Sequence, residues 1–334
     1  MSMKALTIHQ PNHVDVQDVP VPVPGLDEVL IHVAACGICG TDVHIFRGEY
    51  LGGYPVIPGH EFAGEVVAVG SDVLRFQIGD RVAVEPNIAC DNCYACLNNR
   101  QNFCLNWQAV GVTRPGGMAE FTVAPEKVVF DIGSLSYEHA AFVEPLSCVI
   151  HGIERAEIRL ADRIAILGAG PIGLLLLQVA LQQGVADVTV LERQPARAKL
   201  ALSLGAMSWV DDLATMPPDA FDVVIDATGV PGVMARSIEL ARPGGTILLF
   251  GVPPRGAELT LDAFAIFEKG LTLRSSFTSR RNSYQAVAML HSGQVRVSEL
   301  ISHRLPLRDF ERGVAMIESG LDGVKKVLMV PSHA

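Results

Sequence analysis

Residues 164–173 read IAILGAGPIG, and this stretch indicates the type of fold to which the surrounding chain belongs. A short apolar strand leads into a glycine-rich turn, and an apolar helix follows the turn. Gly168 permits the tight turn, Gly170 lets a ligand approach the backbone, and Gly173 lets the helix pack against the strand. The free N–H groups and the dipole at the start of such a helix favour a phosphate group. The stretch therefore predicts a dinucleotide site, with contacts from Gly168, Gly170, Pro171, Ile172 and Gly173.

A carboxylate follows at the end of the next predicted strand. Glu192 stands 19 residues after Gly173, where an acidic side chain binds both hydroxyls of an adenosine ribose. Its charge would repel the 2′-phosphate that distinguishes NADP from NAD. Arg193 and Arg197 stand beside it, and arginines at this place can hold a 2′-phosphate. NAD is the predicted cofactor, and NADP is the alternative.

Short apolar strands alternate with helices on both sides of this motif. The alternation predicts a parallel, doubly wound sheet of the Rossmann type over residues 149–284. Residues 1–148 are β-rich instead, with short alternating runs separated by glycine turns. The predicted fold class is therefore α/β, with a dinucleotide-binding domain and a second, β-rich domain.

Composition and charge limit the classes of function. The chain has 334 residues, a net charge of −10 and 49% hydrophobic residues, which suits two globular domains. No basic stripe is available to neutralise phosphates, so nucleic acid is not an expected partner. The uncharged run 164–186 has the length of a membrane span, but its glycines, proline and glutamines predict a buried strand and helix. With no apolar signal core at the N-terminus, we expect a cytoplasmic protein.

Four of the seven cysteines lie in one short segment, with the spacing Cys90-x2-Cys93-x2-Cys96-x7-Cys104. Four thiolates can close a tetrahedral zinc site that leaves no open position, which is typical of a structural metal. Disulfides are disfavoured in a chain without an export signal. An iron–sulfur cluster uses the same ligands, but the rest of the chain offers no electron-transfer context. Residues 90–104 are therefore predicted to be a structural zinc lobe.

A second set of possible metal ligands is spread along the chain. Its members are Cys39, the adjacent pair His60 and Glu61, and Glu144. A thiolate, an imidazole and a carboxylate suit zinc, and a position left for water or substrate would make that zinc a Lewis acid. The role of each residue taken alone is ambiguous. Their assignment as metal ligands rests on their occurrence together with the cysteine lobe and the glycine motif.

The motifs together resemble the zinc-containing medium-chain alcohol dehydrogenases, and within them the polyol dehydrogenase branch. The resemblance covers essentially the whole chain and is carried by CGICGTDVH (36–44), GHEFAGEVVAVG (59–70), the cysteine lobe, EPLSCVIHG (144–152) and GAGPIG (168–173). It implies a GroES-like catalytic domain made of residues 1–148 and 285–334. It also implies two Zn2+ per subunit, one catalytic and one structural, and a homo-tetramer.

The resemblance also implies a role for each candidate residue. Cys39 and His60 would be catalytic zinc ligands and Glu61 the third ligand. Glu144 would be either a fourth ligand or a hydrogen-bond partner of the zinc-bound water. Thr41 would pass the alcohol proton toward the ribose, and His44 would form the outer end of that relay. The implied reaction is oxidation of a small polyol or another secondary alcohol to a ketone, with hydride transfer to NAD.

The substrate is less sharply defined by the sequence. Sorbitol dehydrogenases usually carry an arginine–tyrosine pair after the sixth strand, where this chain has Ser276 and Phe277. An L-threonine 3-dehydrogenase would share nearly every motif. A sugar-phosphate alcohol dehydrogenase would need a cationic pocket, for which Arg114, Arg280 and Arg281 are candidates. A non-catalytic NAD-binding sensor is the alternative from outside the enzymes, although such relatives tend to lose zinc ligands.

Overall fold

The structure is a computed structural model that describes residues 1–50, 53–320 and 323–333. The chain divides into two compact units. The first contains Met1–Ser147, Ser279–His291 and Leu300–Ala334, and the second contains Cys148–Thr278 and Ser292–Glu299. The first unit is β-rich and the second is built on a parallel sheet, which confirms the predicted fold class.

The first unit begins with strands joined by short loops. Its strands are β1 (Ser2–Gln10), β2 (His13–Pro20), β3 (Glu28–Gly37), β4 (Glu61–Val69), β5 (Arg81–Val84), β6 (Asn87–Ile88), β7 (Gln108–Ala109), β8 (Phe121–Pro125) and β9 (Val129–Asp131). The helices along this part are α1 (Gly40–Arg47), α2 (Tyr94–Leu97), α3 (Tyr137–Ala140) and α4 (Val143–Ala156). β3 pairs antiparallel with both β4 and β8, and apolar residues of these strands are buried in one core.

The second unit alternates strands and helices. Its strands are β10 (Arg163–Leu167), β11 (Asp187–Leu191), β12 (Ser208–Val210), β13 (Phe221–Asp226), β14 (Ala241–Leu249) and β15 (Thr272–Ser275). The helices between them are α5 (Pro171–Leu181), α6 (Pro195–Ser203), α7 (Pro231–Leu240) and α8 (Ala263–Lys269). All neighbours pair in parallel, in the order β12-β11-β10-β13-β14-β15. The order reverses between β10 and β13, where sheets of this kind bind ligands beyond the carboxyl ends of the strands.

The chain then returns to the first unit with α9 (Ser283–His291), β16 (Ile301–Leu305), α10 (Phe310–Ser319) and β17 (Lys326–Met329). β17 pairs antiparallel with β3 and parallel with β16. The return starts at Ser279, earlier than the predicted residue 285, and Ser292–Glu299 belongs to the second unit. Gln178 of α5 is one residue that holds this segment in the second unit, because its side chain bonds both the N–H and the C=O of Arg296.

Among the helices of the described residues, none combines the length and the apolar character that crossing a bilayer requires. The apolar run that begins at Ile164 becomes β10, a turn and the 11-residue helix α5.

Candidate functional site

Three of the predicted catalytic ligands come together in the first unit. One ligand atom each from Cys39, His60 and Glu61 lies within 4.8 Å of the other two. Cys39 caps the N-terminus of α1 just after β3, and Glu61 is the first residue of β4. Gly37 of β3 is paired with Glu61 of β4, so the antiparallel register brings the two strand ends together. The sheet itself therefore assembles the cluster.

Asp42, which the sequence reasoning did not single out, connects the parts of this cluster. It is fully buried, and its Oδ2 accepts the N–H of Cys39 at 2.8 Å. Its Oδ1 accepts the N–H of Gly59 and lies 3.4 Å from His60 Nδ1. A carboxylate behind a ligating histidine fixes the ring and raises its basicity. Burial alone would lower the pKa of His60, but the charges of Asp42 and Cys39 raise it well above its usual value.

Lys326 is the second contributor that the sequence reasoning missed. Its Nζ lies 2.6 Å from Glu61 Oε2, and both side chains are buried, at 5% and 1% exposure. The other carboxylate oxygen, Glu61 Oε1, is buried without a hydrogen-bond partner. A buried polar atom without a partner is costly. A Zn2+ ion would give it one, so these residues fit a zinc site in their chemistry as well as their spacing.

A glycine is required beside this ion pair. A Cβ placed on Gly37 would stand 2.2 Å from Glu61 Oε2, closer than any real contact. The motif CGICGTDVH therefore supplies the ligand Cys39, the carboxylate Asp42 and the space that Glu61 occupies.

The remaining predicted catalytic residues are not members of the cluster. Glu144 is buried in the first turn of α4 but lies outside the group of three ligands. Thr41 hydrogen-bonds Tyr50, a residue not predicted from the sequence. Burial raises the pKa of the Tyr50 phenol, and the charges of His60, Cys39 and Glu144 also act on it. His44 Nδ1 lies 2.9 Å from Glu49 Oε2 at the other end of α1.

The four-cysteine lobe forms a second cluster, in which the sulfurs of Cys90, Cys93, Cys96 and Cys104 all lie within 4.8 Å of one another. Cys93 Sγ is 3.5 Å from Cys96 Sγ and 3.9 Å from Cys104 Sγ, too far for disulfides. Tetrahedral Zn–S bonds of about 2.3 Å place sulfurs about 3.8 Å apart, between those two distances. Backbone N–H groups, that of Asn92 first, lower the pKa of Cys90 to about 6. The lobe thus fits a closed four-thiolate zinc site.

The glycine loop of the second unit has the geometry that its sequence predicts. Gly168 has a φ of +101°, and a Cβ on Gly173 would stand 1.9 Å from Gly168 O. A Cβ on Gly170, by contrast, would meet nothing within 4 Å. The protein itself therefore gives no reason for glycine at 170, whereas a pyrophosphate resting on the N-terminus of α5 does. Pro171 is at the first position of α5, and Ile172 follows it.

Glu192 stands beside that loop. Its Oε2 accepts the N–H of Ala169 at 3.0 Å, and its Oε1 accepts the N–H of Gln194 at 2.9 Å. Arg193 is exposed and Arg197 is half-buried. Both oxygens of the carboxylate are thus held by backbone N–H groups.

The residues considered for substrate choice are dispersed. Ser276 Oγ lies 3.4 Å from His151 Nδ1, and Phe277 is partly exposed. Of the three candidate phosphate-binding arginines, Arg114 pairs with Glu28, and Arg281 pairs with Asp91 of the cysteine lobe.

Comparison with known proteins agrees with this geometry. Residues 25–134 match the family of alcohol dehydrogenase GroES-like domains, and residues 171–292 match the family of zinc-binding dehydrogenases. D-altritol 5-dehydrogenase of Agrobacterium fabrum is 40% identical over 88% of this chain and 88% of its own. D-arabinitol dehydrogenase 1 of Uromyces fabae is 33% identical over 95% of this chain and 94% of its own.

Solved structures show the same similarity. A zinc-binding dehydrogenase from Sinorhizobium meliloti, bound to NADP, superposes with a TM-score of 0.94 at 36% identity. The match covers 99% of this chain and 100% of that one. The chain is therefore a member of the zinc-dependent medium-chain alcohol dehydrogenases, in the polyol dehydrogenase branch of that family of oxidoreductases.

Proposed function

We propose that this enzyme oxidises a secondary hydroxyl of an open-chain polyol to a ketone, with NAD as the hydride acceptor. The observation that carries the proposal is the cluster of Cys39, His60 and Glu61, which offer one ligand atom each within 4.8 Å of one another. Glu61 also has a buried carboxylate oxygen, Oε1, without a hydrogen-bond partner. A site with three protein ligands leaves the fourth position of zinc for a substrate oxygen. Two relatives named for their action on altritol and arabinitol support the choice of a polyol.

The residues of the cluster would hold the catalytic Zn2+ as follows. Cys39 as thiolate and Glu61 as carboxylate contribute two negative charges, and His60 is neutral when it ligates a metal. When bound, zinc supplies a Lewis acid that lowers the pKa of the substrate hydroxyl, and NAD supplies the hydride acceptor. Asp42 orients His60, and Lys326 holds one oxygen of Glu61 and leaves the other for the metal.

Glu144 takes the second of its two predicted roles in this proposal. It lies outside the ligand cluster, yet its charge acts on both Tyr50 and Lys326. We assign it to hydrogen bonding near the open position, with Glu61 as the resting ligand. Thr41 takes the alcohol proton, and its bond with Tyr50 helps to orient that hydroxyl. His44, which pairs with Glu49, is the outward end of the proton path.

Initial rates measured by NADH absorbance test the function. The alcohols to compare are D-altritol, D-arabinitol, xylitol, sorbitol, L-threonine and galactitol 1-phosphate. We expect turnover of polyols that is lost on chelation and restored by Zn2+. Turnover of L-threonine or of the phosphate ester without any polyol would overturn the substrate class. Tight NAD binding with no turnover of any of these alcohols by the two-zinc protein would indicate a different alcohol substrate, whereas NAD binding without a catalytic zinc would favour a sensor.

NAD, rather than NADP, is the proposed cofactor because of Glu192. Its carboxylate already accepts two backbone N–H groups and is buried to 8% exposure, so it cannot easily turn away from an incoming 2′-phosphate. A like charge in that position costs binding energy, and each 1.4 kcal/mol corresponds to about tenfold in affinity.

The substitution Glu192→Gln tests this assignment. Glutamine removes the charge and keeps an acceptor oxygen for Ala169, at the loss of the hydrogen bond from Gln194, and we expect kcat/KM with NADP to rise about tenfold relative to that with NAD. Arg193→Gln is the opposite test, because loss of a cation that could hold a 2′-phosphate should lower kcat/KM with NADP relative to that with NAD. A wild-type enzyme that prefers NADP, or an unchanged NAD/NADP ratio in Glu192→Gln, would contradict the role.

We also propose a cytoplasmic homo-tetramer. The proposal is supported by the family membership and by the cysteines of the described chain, which are all free.

A further inference from the structure

A cavity of about 400 Å³ lies within the first unit, apart from the zinc cluster. Its lining includes none of Cys39, His60 and Glu61. Its walls are formed by four stretches of chain, at Arg75, from Glu85 to Asp91, from Glu126 to Phe130, and from Ser279 to Tyr284. Gln101 and Asn102 of the cysteine lobe complete the lining. Its volume lies within the range of small-molecule pockets, about 300–1,000 Å³.

The floor of the cavity is buried and its mouth is cationic. Asn102, Glu85, Val128 and Phe130 are 3–7% exposed and form the floor. The four cations of the lining are all exposed: Arg75, Lys127, Arg280 and Arg281. Cations cluster here although the whole chain has a net charge of −10. Such a concave basic mouth concentrates anions from solution.

The carboxylates of the lining do not neutralise these cations one by one. Lys127 and Arg281 share a single carboxylate, that of Asp91, at 2.9 and 2.7 Å. Glu126 Oε1 accepts backbone N–H groups of Leu74 and Arg75. The carboxylates of the cavity are thus already committed to partners, which argues against a cation as its ligand.

The buried Glu85 is committed in the same way. Its Oε2 accepts hydroxyls of Ser147 and Ser283 at 3.0 and 2.8 Å, and its Oε1 accepts the amide of Asn87. This carboxylate therefore belongs to the wall of the cavity and has little capacity left for a ligand.

Two guanidinium groups remain without a carboxylate. In the part of the chain that the structure describes, neither Arg75 nor Arg280 forms an ion pair. Arg75 donates to Tyr284 Oη at 3.2 Å and to backbone carbonyls, and Arg280 has one long contact, 3.4 Å, with Asn99 O. A guanidinium carries five N–H donors in a fork that matches carboxylate and phosphate oxygens.

We propose that this cavity binds a small oxyanion, a carboxylate or a phosphate group, through Arg280 and Arg75. The occupant would contact the segment Ser279–Tyr284, through which the chain re-enters the first unit, and Ser283 of that segment is bonded to Glu85. Binding would therefore stabilise the first unit. This site shares no lining residue with the zinc cluster of Cys39, His60 and Glu61.

Isothermal titration of the zinc-loaded enzyme with phosphate and, separately, malonate tests the proposal. Saturating NADH keeps phosphate off the glycine loop, and sodium chloride keeps the ionic strength constant. We expect at least one probe to bind, and binding to weaken about tenfold or more in Arg280→Ala and in Arg75→Ala. A response to phosphate alone would identify a phosphate ligand, and a response to malonate alone a carboxylate.

Arg312→Ala is the matched control, because Arg312 is an exposed arginine of the same unit outside the cavity. If neither probe binds the wild-type enzyme, or if the two cavity variants bind like Arg312→Ala, the proposal is wrong.

Discussion

Cys39→Ser is expected to abolish turnover while leaving NAD binding intact. Cys39 supplies the only sulfur of the ligand cluster, and serine is a poor zinc ligand. Loss of a residue that only hydrogen-bonds a zinc ligand typically lowers metal affinity or activity about 10–100-fold. Loss of the ligand itself should therefore lower turnover by more than that. Metal analysis should show one zinc per chain instead of two. NADH titration, followed by fluorescence, should give an unchanged Kd because the glycine loop belongs to the other unit.

Cys148→Ser is the matched control for this experiment. Cys148 is also a partly exposed cysteine that belongs to neither metal cluster. It should retain two zincs and wild-type turnover. If Cys39→Ser keeps both its second zinc and its turnover, the catalytic role of the cluster is wrong.

Lys326→Met is expected to cause the largest loss of stability. Removing one partner of a buried ion pair leaves the other charge uncompensated, at a cost of about 3–5 kcal/mol. The pair with Glu61 is nearly inaccessible to water, and methionine fills a similar volume without charge. In the metal-free enzyme, the urea concentration at the midpoint of unfolding should fall by an amount that corresponds to this loss of free energy. With zinc bound the fall should be smaller, because the metal would compensate the charge of Glu61.

Lys325→Met is the neighbouring control. Lys325 is half-buried, and its contact in the structure is made by its backbone N–H to Ser302. It should change the midpoint little in either form. Equal loss of stability in the two variants, or no difference between metal-free and zinc-loaded Lys326→Met, would show that the pair does not serve the metal.

The sequence alone predicted the parts of the molecule that depend on local pattern. The glycine loop, the alternation of short apolar strands with helices, and the four-cysteine spacing each depend on short segments of sequence, and the structure contains the corresponding strands and the sulfur cluster. The ligands Cys39, His60 and Glu61 were identified as a set through the family resemblance, and the pairing of β3 with β4 explains their proximity.

The sequence analysis missed Lys326 and Asp42, because each contacts a zinc-ligand candidate that is distant in sequence, Glu61 and His60 respectively. Lys326 lies in a short apolar strand, and nothing in its neighbourhood in sequence indicates that it meets Glu61, 265 residues away. Asp42 is only three residues from Cys39 and could have been recognised as a carboxylate behind a ligating histidine. The placement of Ser292–Glu299 in the second unit involves long-range contacts such as the hydrogen bonds of the buried Gln178 side chain, which a periodicity argument cannot identify.

The position of β17 has a consequence for biosynthesis. Lys326 contacts Ile38 across 288 residues of chain, and the whole parallel sheet of the second unit is synthesised between them. At about 5–20 residues per second, that interval is about 15–60 s on the ribosome. The nascent chain therefore presents Cys39, His60 and Glu61 long before the strand that completes their surroundings. A metal delivered during translation would meet ligands whose lysine partner has not yet emerged, so the final zinc environment forms only as the last strand of the sheet docks.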